Sequence, residues 1–196
     1  MTVVFVSGDI GSGKSSFCEA LQELGAKWIS SDQLVAQIYR EDLEVIAKLE
    51  TATGRNLRGA DGLLDKALLA STIFGDADVR VAVESIVHPR VHALFVAKLA
   101  DSTADLVVYE VTALKTTTDT SLADVVCEVV AQPQVRIERL LAKGYTRADA
   151  ETRIAAQLND KSRRHDADVI VENSGSPSDL RAVAQGLYAQ WVNARA

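Results

Sequence analysis

Cysteine is nearly missing from this 196-residue chain. Cys18 and Cys127 lie far apart, one in an expected helix and one in an expected strand. That excludes a disulfide scaffold and implies a reduced, cytoplasmic setting. Long apolar runs are missing too: none approaches the ~18 residues of a membrane span. The amino terminus enters a strand with no basic stretch before it, so no secretory leader is expected. His88, His92 and His165 form no metal-spaced cluster with the cysteines. Basic charge is in deficit, with a formal net charge of −6. The whole molecule therefore offers no attraction to nucleic acid or to an anionic membrane. No Asn-Lys-x-Asp segment is present, which argues against a guanine-reading switch. There is no internal repeat and no low-complexity tract. What remains is 47% hydrophobic residues, enough for one well-buried α/β domain with elaborations.

Residues 8–15 then stand out: Gly8-Asp9-Ile10-Gly11-Ser12-Gly13-Lys14-Ser15. The glycines let the backbone wrap a phosphate with its N–H groups turned inward. Lys14 reaches the β- and γ-phosphates, and the Ser15 hydroxyl is the expected Mg²⁺ ligand. The flanks fit the motif. Thr2–Ser7 is a β-branched and aromatic run, expected as a buried strand. Phe17, Ala20, Leu21 and Leu24 recur at helical spacing, and Gly25 fits a helix stop. Strand, glycine loop and helix follow in the order that phosphate binding at a helix amino terminus requires.

Lys27–Asp32 reads as a second short strand ending in an acid. Residues 32 to about 100 hold no convincing strand. Helical faces recur at Leu34, Val35, Ile38 and Tyr39, and again at Leu43, Ile46 and Ala47. A glycine-rich break spans 53–62, and a helix is expected to start at Leu63. Residues 76–100 read as helix interrupted at His88-Pro89, because proline disfavours helical geometry before it and removes a backbone donor. Near-continuous apolar runs at 105–111 and 125–130 are expected as parallel strands covered on both faces. Helices are expected at 134–143, 147–159 and 180–194, with a fifth strand at 168–173. The expected fold class is α/β: a P-loop fold with a five-stranded parallel sheet flanked by helices. The core is expected at 1–32, 102–135 and 166–196, with a helical insertion at 33–101 and a helical segment at 136–165. Ligands of such sheets bind at the carboxyl ends of the strands.

The segment at 136–165 carries a local charge reversal. Residues 136–164 hold eight basic side chains (Arg136, Arg139, Lys143, Arg147, Arg153, Lys161, Arg163 and Arg164) against four acids, so the rest of the chain carries −10. One reading is a solvated helix pair. The other is a lid that closes arginines over triphosphate, where the planar fork binds phosphate oxygens bidentately.

The chain resembles the dephospho-coenzyme A kinase family over nearly its whole length. The loop has that family's Gly-x-Ile-Gly-Ser-Gly-Lys-Ser form, and Asp32 follows the second strand. Glu84-Ser85-Ile86-Val87-His88-Pro89-Arg90-Val91 is similar to the family's Glu-x-Ile-x-His-Pro-x-Val. Glu110-Val111 matches its Glu-Val. Arg153–Gln157, Lys161 and Ala167–Gly175 resemble its lid exit and last strand. The resemblance implies phosphorylation of the 3′-hydroxyl of dephospho-coenzyme A by Mg·ATP, the last step of coenzyme A synthesis. ATP and dephospho-coenzyme A are the implied partners, and no obligatory protein partner is implied. It assigns ATP binding to Gly11, Ser12, Gly13, Lys14, Ser15, Ser16, Arg139 and Asn173. Lys14, Asp32 and Arg139 become the catalytic set, and Asp32, Lys66, His88 and Glu110 the substrate contacts.

Several of these have a second reading. Asp32 is a proton acceptor or the cap of a helix beginning at Gln33. His88 touches substrate or packs at a helix break. Glu110 helps hold Mg²⁺ through water or only ends a strand. Asn173 touches adenine or caps the turn before Pro177. Cys18 reads as helix core, and Trp28 as packing at the sheet edge. The sequence also departs from the family. Ser30 stands where a first acid is usual, Ser16 where threonine is common, and Lys66 and Lys143 where arginines are usual. Thr112-Ala113-Leu114 replaces Pro-Leu-Leu. These changes keep two alternatives open: a P-loop kinase for another small-molecule hydroxyl, and a degenerate ATP-binding regulator.

Overall fold

The inner strands of the sheet are short apolar runs that can be buried on both faces, while the edge strands are partly exposed, and this fixes the layering. The computed structural model describes residues 1–74, 76–112, 114, 118–158 and 166–193. The chain divides into two compact units. One joins Met1–Ser30 to Ser102–Ala196, and the other is Ser31–Asp101.

In the first unit, β1 (Thr2–Gly8) is buried at every position. It lies in the middle of an all-parallel sheet with β2 (Lys27–Ser30), β3 (Leu106–Glu110), β4 (Val125–Val130) and β5 (Val169–Glu172), in the order β2-β3-β1-β4-β5. The helices of this unit are α1 (Lys14–Glu23), α6 (Pro133–Ala142), α7 (Arg147–Leu158) and α8 (Pro177–Asn193). Val4, Val6, Leu106, Val108, Cys127 and Val129 form one core with Phe17 and Leu21 of α1 and Leu180, Ala184 and Trp191 of α8. Phe17 meets Trp191 edge-on at 6.4 Å, and Phe5 meets Tyr109 likewise at 5.1 Å. Trp28 packs against this core from the edge strand. Both cysteines are free and buried.

Aspartates set where strands begin. The Asp124 carboxylate accepts the Val3 N–H at 2.8 Å, and the Asp168 carboxylate accepts the Val126 N–H at 2.8 Å. The Asp105 carbonyl accepts the Thr2 N–H at 2.7 Å. A buried ladder thus gains partners for end groups that would otherwise be left unpaired.

The second unit is helical: α2 (Ser31–Glu41), α3 (Leu43–Thr53), α4 (Lys66–Phe74) and α5 (Ala77–Ala100). Asp42 caps α3 by accepting the Val45 N–H, and Arg90 of α5 donates to the same carboxylate at 2.6 Å. Those bonds, the Val45 amide first, hold the Asp42 carboxyl below its usual range. No helix among the described residues is long and apolar enough to cross a membrane.

Four boundaries differ from the sequence reading. β2 stops at Ser30, so Asp32 sits in the first turn of α2 rather than at a strand end, and the helix begins at Ser31 rather than Gln33. α8 begins at Pro177 rather than Leu180, with proline at the first helical position. α4 begins at Lys66, not Leu63: Asp65 accepts the Ala67 and Leu68 N–H groups and so caps the helix. The fourth concerns α5, which runs unbroken through His88-Pro89. Val83, Val87, Val91 and Phe95 are buried at i, i+4 spacing on both sides of the proline, so packing carries the helix across it. Ser85, His88 and Pro89 are exposed, so the carbonyl that loses its donor at position 89 faces water.

Replacing that proline should therefore stabilise the protein. Pro89→Ala supplies the missing N–H without disturbing a buried contact, and the expected gain is about 1–2 kcal/mol in a urea unfolding titration. A loss of stability would mean that the ring itself is needed for the packing of α5.

Candidate active site

The loop between β1 and α1 has a shape only glycine permits at two points. Gly11 and Gly13 lie at φ 77° and 92°, in the left-handed region. Space forbids a side chain as well. A Cβ on Gly11 would lie 2.8 Å from the Arg136 carbonyl oxygen, and one on Gly13 would lie 2.2 Å from Asn173 Nδ2. The Ser12 N–H closes a turn on the Asp9 carbonyl at 3.1 Å. Gly13 then starts α1 with no side-chain cap and no acid in its first turn. The first amides of α1 are thus free of a competing carboxylate, the condition for an anion at a helix amino terminus. Ser12 is fully buried, and its hydroxyl has no hydrogen-bond partner among the described residues. Lys14 forms no ion pair among the described residues.

The outer side of the loop is held by side chains from two other elements. Asn173, just past β5, donates from Nδ2 to the Ser12 carbonyl at 2.7 Å. Arg139 of α6 donates to the same carbonyl at 3.0 Å, to the Gly11 carbonyl at 3.4 Å and to Asn173 Oδ1 at 3.4 Å. With two carbonyls tied outward, the peptide units of this stretch present their opposite faces to the cradle. Asn173 is buried, and in this structure its amide is engaged with the loop rather than with the turn before Pro177.

At the foot of the loop, the Ser15 hydroxyl donates to Glu110 Oε1 at 2.6 Å. Glu110 ends β3, in register with Val6 of β1 and with Ser30 of β2, and is only 6% exposed. A second acid at position 30 would therefore stand beside Glu110 in the ladder, and serine removes that repulsion. A hydroxyl and a carboxylate are hard oxygen donors of the kind Mg²⁺ takes, alongside waters and phosphate oxygens. No group of three or more His, Cys, Asp or Glu side chains that could hold a metal exists among the described residues. Cys18, one helical turn after Lys14, is buried in the core. Burial, reinforced by the charge of Glu110, pushes its thiol well above the usual range, so it stays neutral. Burial likewise pushes the Cys127 thiol up to about 12.

The basic residues of the expected lid divide. Arg147 pairs with Glu151 at 3.6 Å on the exposed face of α7. Arg153 lies 5.3 Å over the Tyr145 ring. Lys143 is the exposed carboxyl cap of α6, where a cation suits the helix dipole. Arg136 is not at the surface at all: it is 4% exposed and bonded to the loop and to Gln157 of α7, a role its place in a run of basic residues concealed. Lys161, Arg163 and Arg164 lie outside the described residues.

The first unit thus brings together the loop residues Gly11–Ser16, Glu110, Arg139 and Asn173. Asp32, Lys66 and His88 belong to the second unit. Asp32 is exposed in the first turn of α2, Lys66 is exposed at the start of α4, and His88 is exposed on α5 rather than packed at a break. Thr112 is exposed and Ala113 lies outside the described residues. Leu114 is buried, and its N–H donates to Ser7 Oγ at 3.3 Å.

The family model described as dephospho-CoA kinase matches residues 2–179. The chain is 37% identical over 194 residues to a dephospho-CoA kinase of Mycolicibacterium paratuberculosis, covering 98% of this chain and 48% of that protein. It therefore spans about half the length of the first curated relatives it matches. A dephospho-CoA kinase of Corynebacterium glutamicum is 32% identical over 194 residues, covering 97% of each chain. A crystal structure from Thermus thermophilus superimposes with a TM-score of 0.80 at 29% identity, over 96% of this chain and 97% of that one. With a parallel five-stranded sheet, a glycine loop opening α1 and these relatives, the chain belongs to the dephospho-CoA kinase family.

Proposed function

We propose that the chain transfers the γ-phosphoryl group of ATP to the ribose 3′-hydroxyl of dephospho-CoA, giving CoA and ADP, in the cytoplasm. The observation that carries this reading is the loop itself, held open from outside by Asn173 and Arg139 and footed by the Ser15–Glu110 contact at 2.6 Å. Family membership supplies the acceptor.

In this reading the inward N–H groups of residues 11–15 bind the β- and γ-phosphates, and Ser16 extends the contact in the first turn of α1. Lys14 follows the charge as it moves toward the leaving ADP oxygen. Ser15, with Glu110 behind it, would hold Mg²⁺, which supplies positive charge against the β- and γ-phosphate oxygens. This places Glu110 at the metal rather than at the acceptor. Arg139 adds its charge from the outer side of the loop. Asp32 accepts the proton of the 3′-hydroxyl as its oxygen bonds to the γ-phosphorus and the bond to the ADP oxygen breaks. What supports Asp32 is its place in the chain two residues after the last residue of β2, since such folds bind ligands beyond the carboxyl ends of their strands. Lys66 and His88 of the helical unit serve as acceptor contacts.

The direct test is ADP release with Mg·ATP, with and without dephospho-CoA, and the mass of the product. Acceptor-dependent release with a 3′-phosphorylated product is expected. Release on another acceptor, with dephospho-CoA inert, would assign the chain a different hydroxyl; ATP binding with no release would leave it a binding protein. Two variants separate the roles. Lys14→Ala should cost about 10²–10³ in kcat, as expected for a lost transition-state charge contact. Asp32→Asn should lower kcat at least about 100-fold with little change in KM, the signature of a lost proton acceptor. A pure KM effect would make Asp32 a binding group only.

A further inference from the structure

Asp9 is an unexpected residue in a loop built for polyphosphate. It puts a negative charge on the loop itself, which disfavours an anionic ligand unless it is compensated. Arg136 answers it. The guanidinium is buried in α6, with its side chain 5% exposed, and donates to Asp9 Oδ2 at 2.8 Å. The same fork donates from Nε to the Ile10 carbonyl at 2.9 Å and from a terminal nitrogen to Gln157 Oε1 at 3.0 Å. Gln157 Oε1 also accepts the Ile10 N–H at 2.9 Å. One arginine and one glutamine therefore satisfy both backbone groups of Ile10 and the charge of Asp9. The Ile10 side chain packs against the buried cluster of Leu140, Ala150 and Ile154 from α6 and α7. The first half of the loop is thus seated on the helix pair, and the second half is held by Arg139 and Asn173.

We propose that Arg136 is a positioning residue for the nucleotide: with Gln157 it neutralises Asp9 and fixes residues 9–11, so that the loop meets the triphosphate preformed and without net repulsion. Lysine would keep the charge, but its single ammonium cannot make three diverging contacts. The proposal rests on the reading of the loop as the ATP site, and the test is arranged so that the two can fail separately.

The test measures Mg·ATP affinity by calorimetry without acceptor, and KM and kcat with dephospho-CoA, for Arg136→Gln, Asp9→Asn and the double variant. Arg136→Gln should weaken ATP binding at least about tenfold, the loss expected when a buried charged hydrogen-bond partner is removed. KM for dephospho-CoA should stay within about twofold, because only the nucleotide loop is touched. Asp9→Asn alone should be mild. The double variant should recover most of the lost affinity, because the charge that Arg136 balances has gone with it. Additive losses in the double variant, or unchanged ATP affinity in Arg136→Gln, would overturn the proposal. If Arg136→Gln fails to fold, Gln157→Met decides it. That variant leaves both charges in place and removes the acceptor shared by Ile10 and Arg136. A rise in KM for ATP alone supports the proposal, and no change refutes it. A natural chain that binds ATP but does not turn over dephospho-CoA would defeat the kinase reading while leaving the Arg136 test intact.

Discussion

A phosphate loop works only if its backbone is held in a conformation that most sequences refuse. Here the constraint is met from two sides. Gly11 and Gly13 permit the left-handed geometry, and side chains from outside the loop impose it. Free glycine-rich backbone would lose considerable entropy on closing around a ligand. A loop whose carbonyls are already tied outward by Asn173 and Arg139 has met that cost during folding. The rest of the structure can be read as what is needed to bring those side chains to one place.

The parallel sheet does the bringing. β1, β3, β4 and β5 all run the same way, so their carboxyl ends deliver the loop, Glu110, the start of α6 and Asn173 to one edge. Register matters in detail: because Val6, Glu110 and Ser30 are aligned across three strands, Glu110 stands at the foot of the loop with a valine and a serine as its neighbours in the ladder. The aspartates that open the strands at 105, 124 and 168 hold that register at the other end. Cys18, one helical turn beyond Lys14, is buried in the core beneath α1 and stays neutral there.

Much of this was legible in the sequence. Strands buried on both faces are near-continuous apolar runs, so the inner three were visible as such; the two edge strands showed as short runs beside turn residues, and glycine spacing located the loop. What escaped was decided by tertiary placement. Proline rules read locally put a break at Pro89, but packing by Val83, Val87, Val91 and Phe95 outweighs one lost bond whose carbonyl faces water. A strand ending in an acid and a helix with an acid in its first turn look alike over two residues, which is how Asp32 crossed the boundary. Arg136 and Arg139 sit three apart in one basic run. Only the seating of α6 on the loop shows that the first is buried against Asp9 and the second lies across Ser12. For Asn173 the sequence leaves adenine contact and a cap on the turn before Pro177 both open; its bond to the Ser12 carbonyl emerges only once β5 is placed beside β4.

The central claim is that side chains outside the loop preform it for a triphosphate. Its most direct test is a titration of inorganic tripolyphosphate and of ATP into Asn173→Ala beside the natural chain. Tripolyphosphate has no adenine, so it reports on the loop alone. The expected result is a loss of about tenfold for both ligands, as follows from removing one of the two donors that hold the Ser12 carbonyl outward. If tripolyphosphate affinity is unchanged while ATP affinity falls, Asn173 reads the base, and the loop does not depend on it.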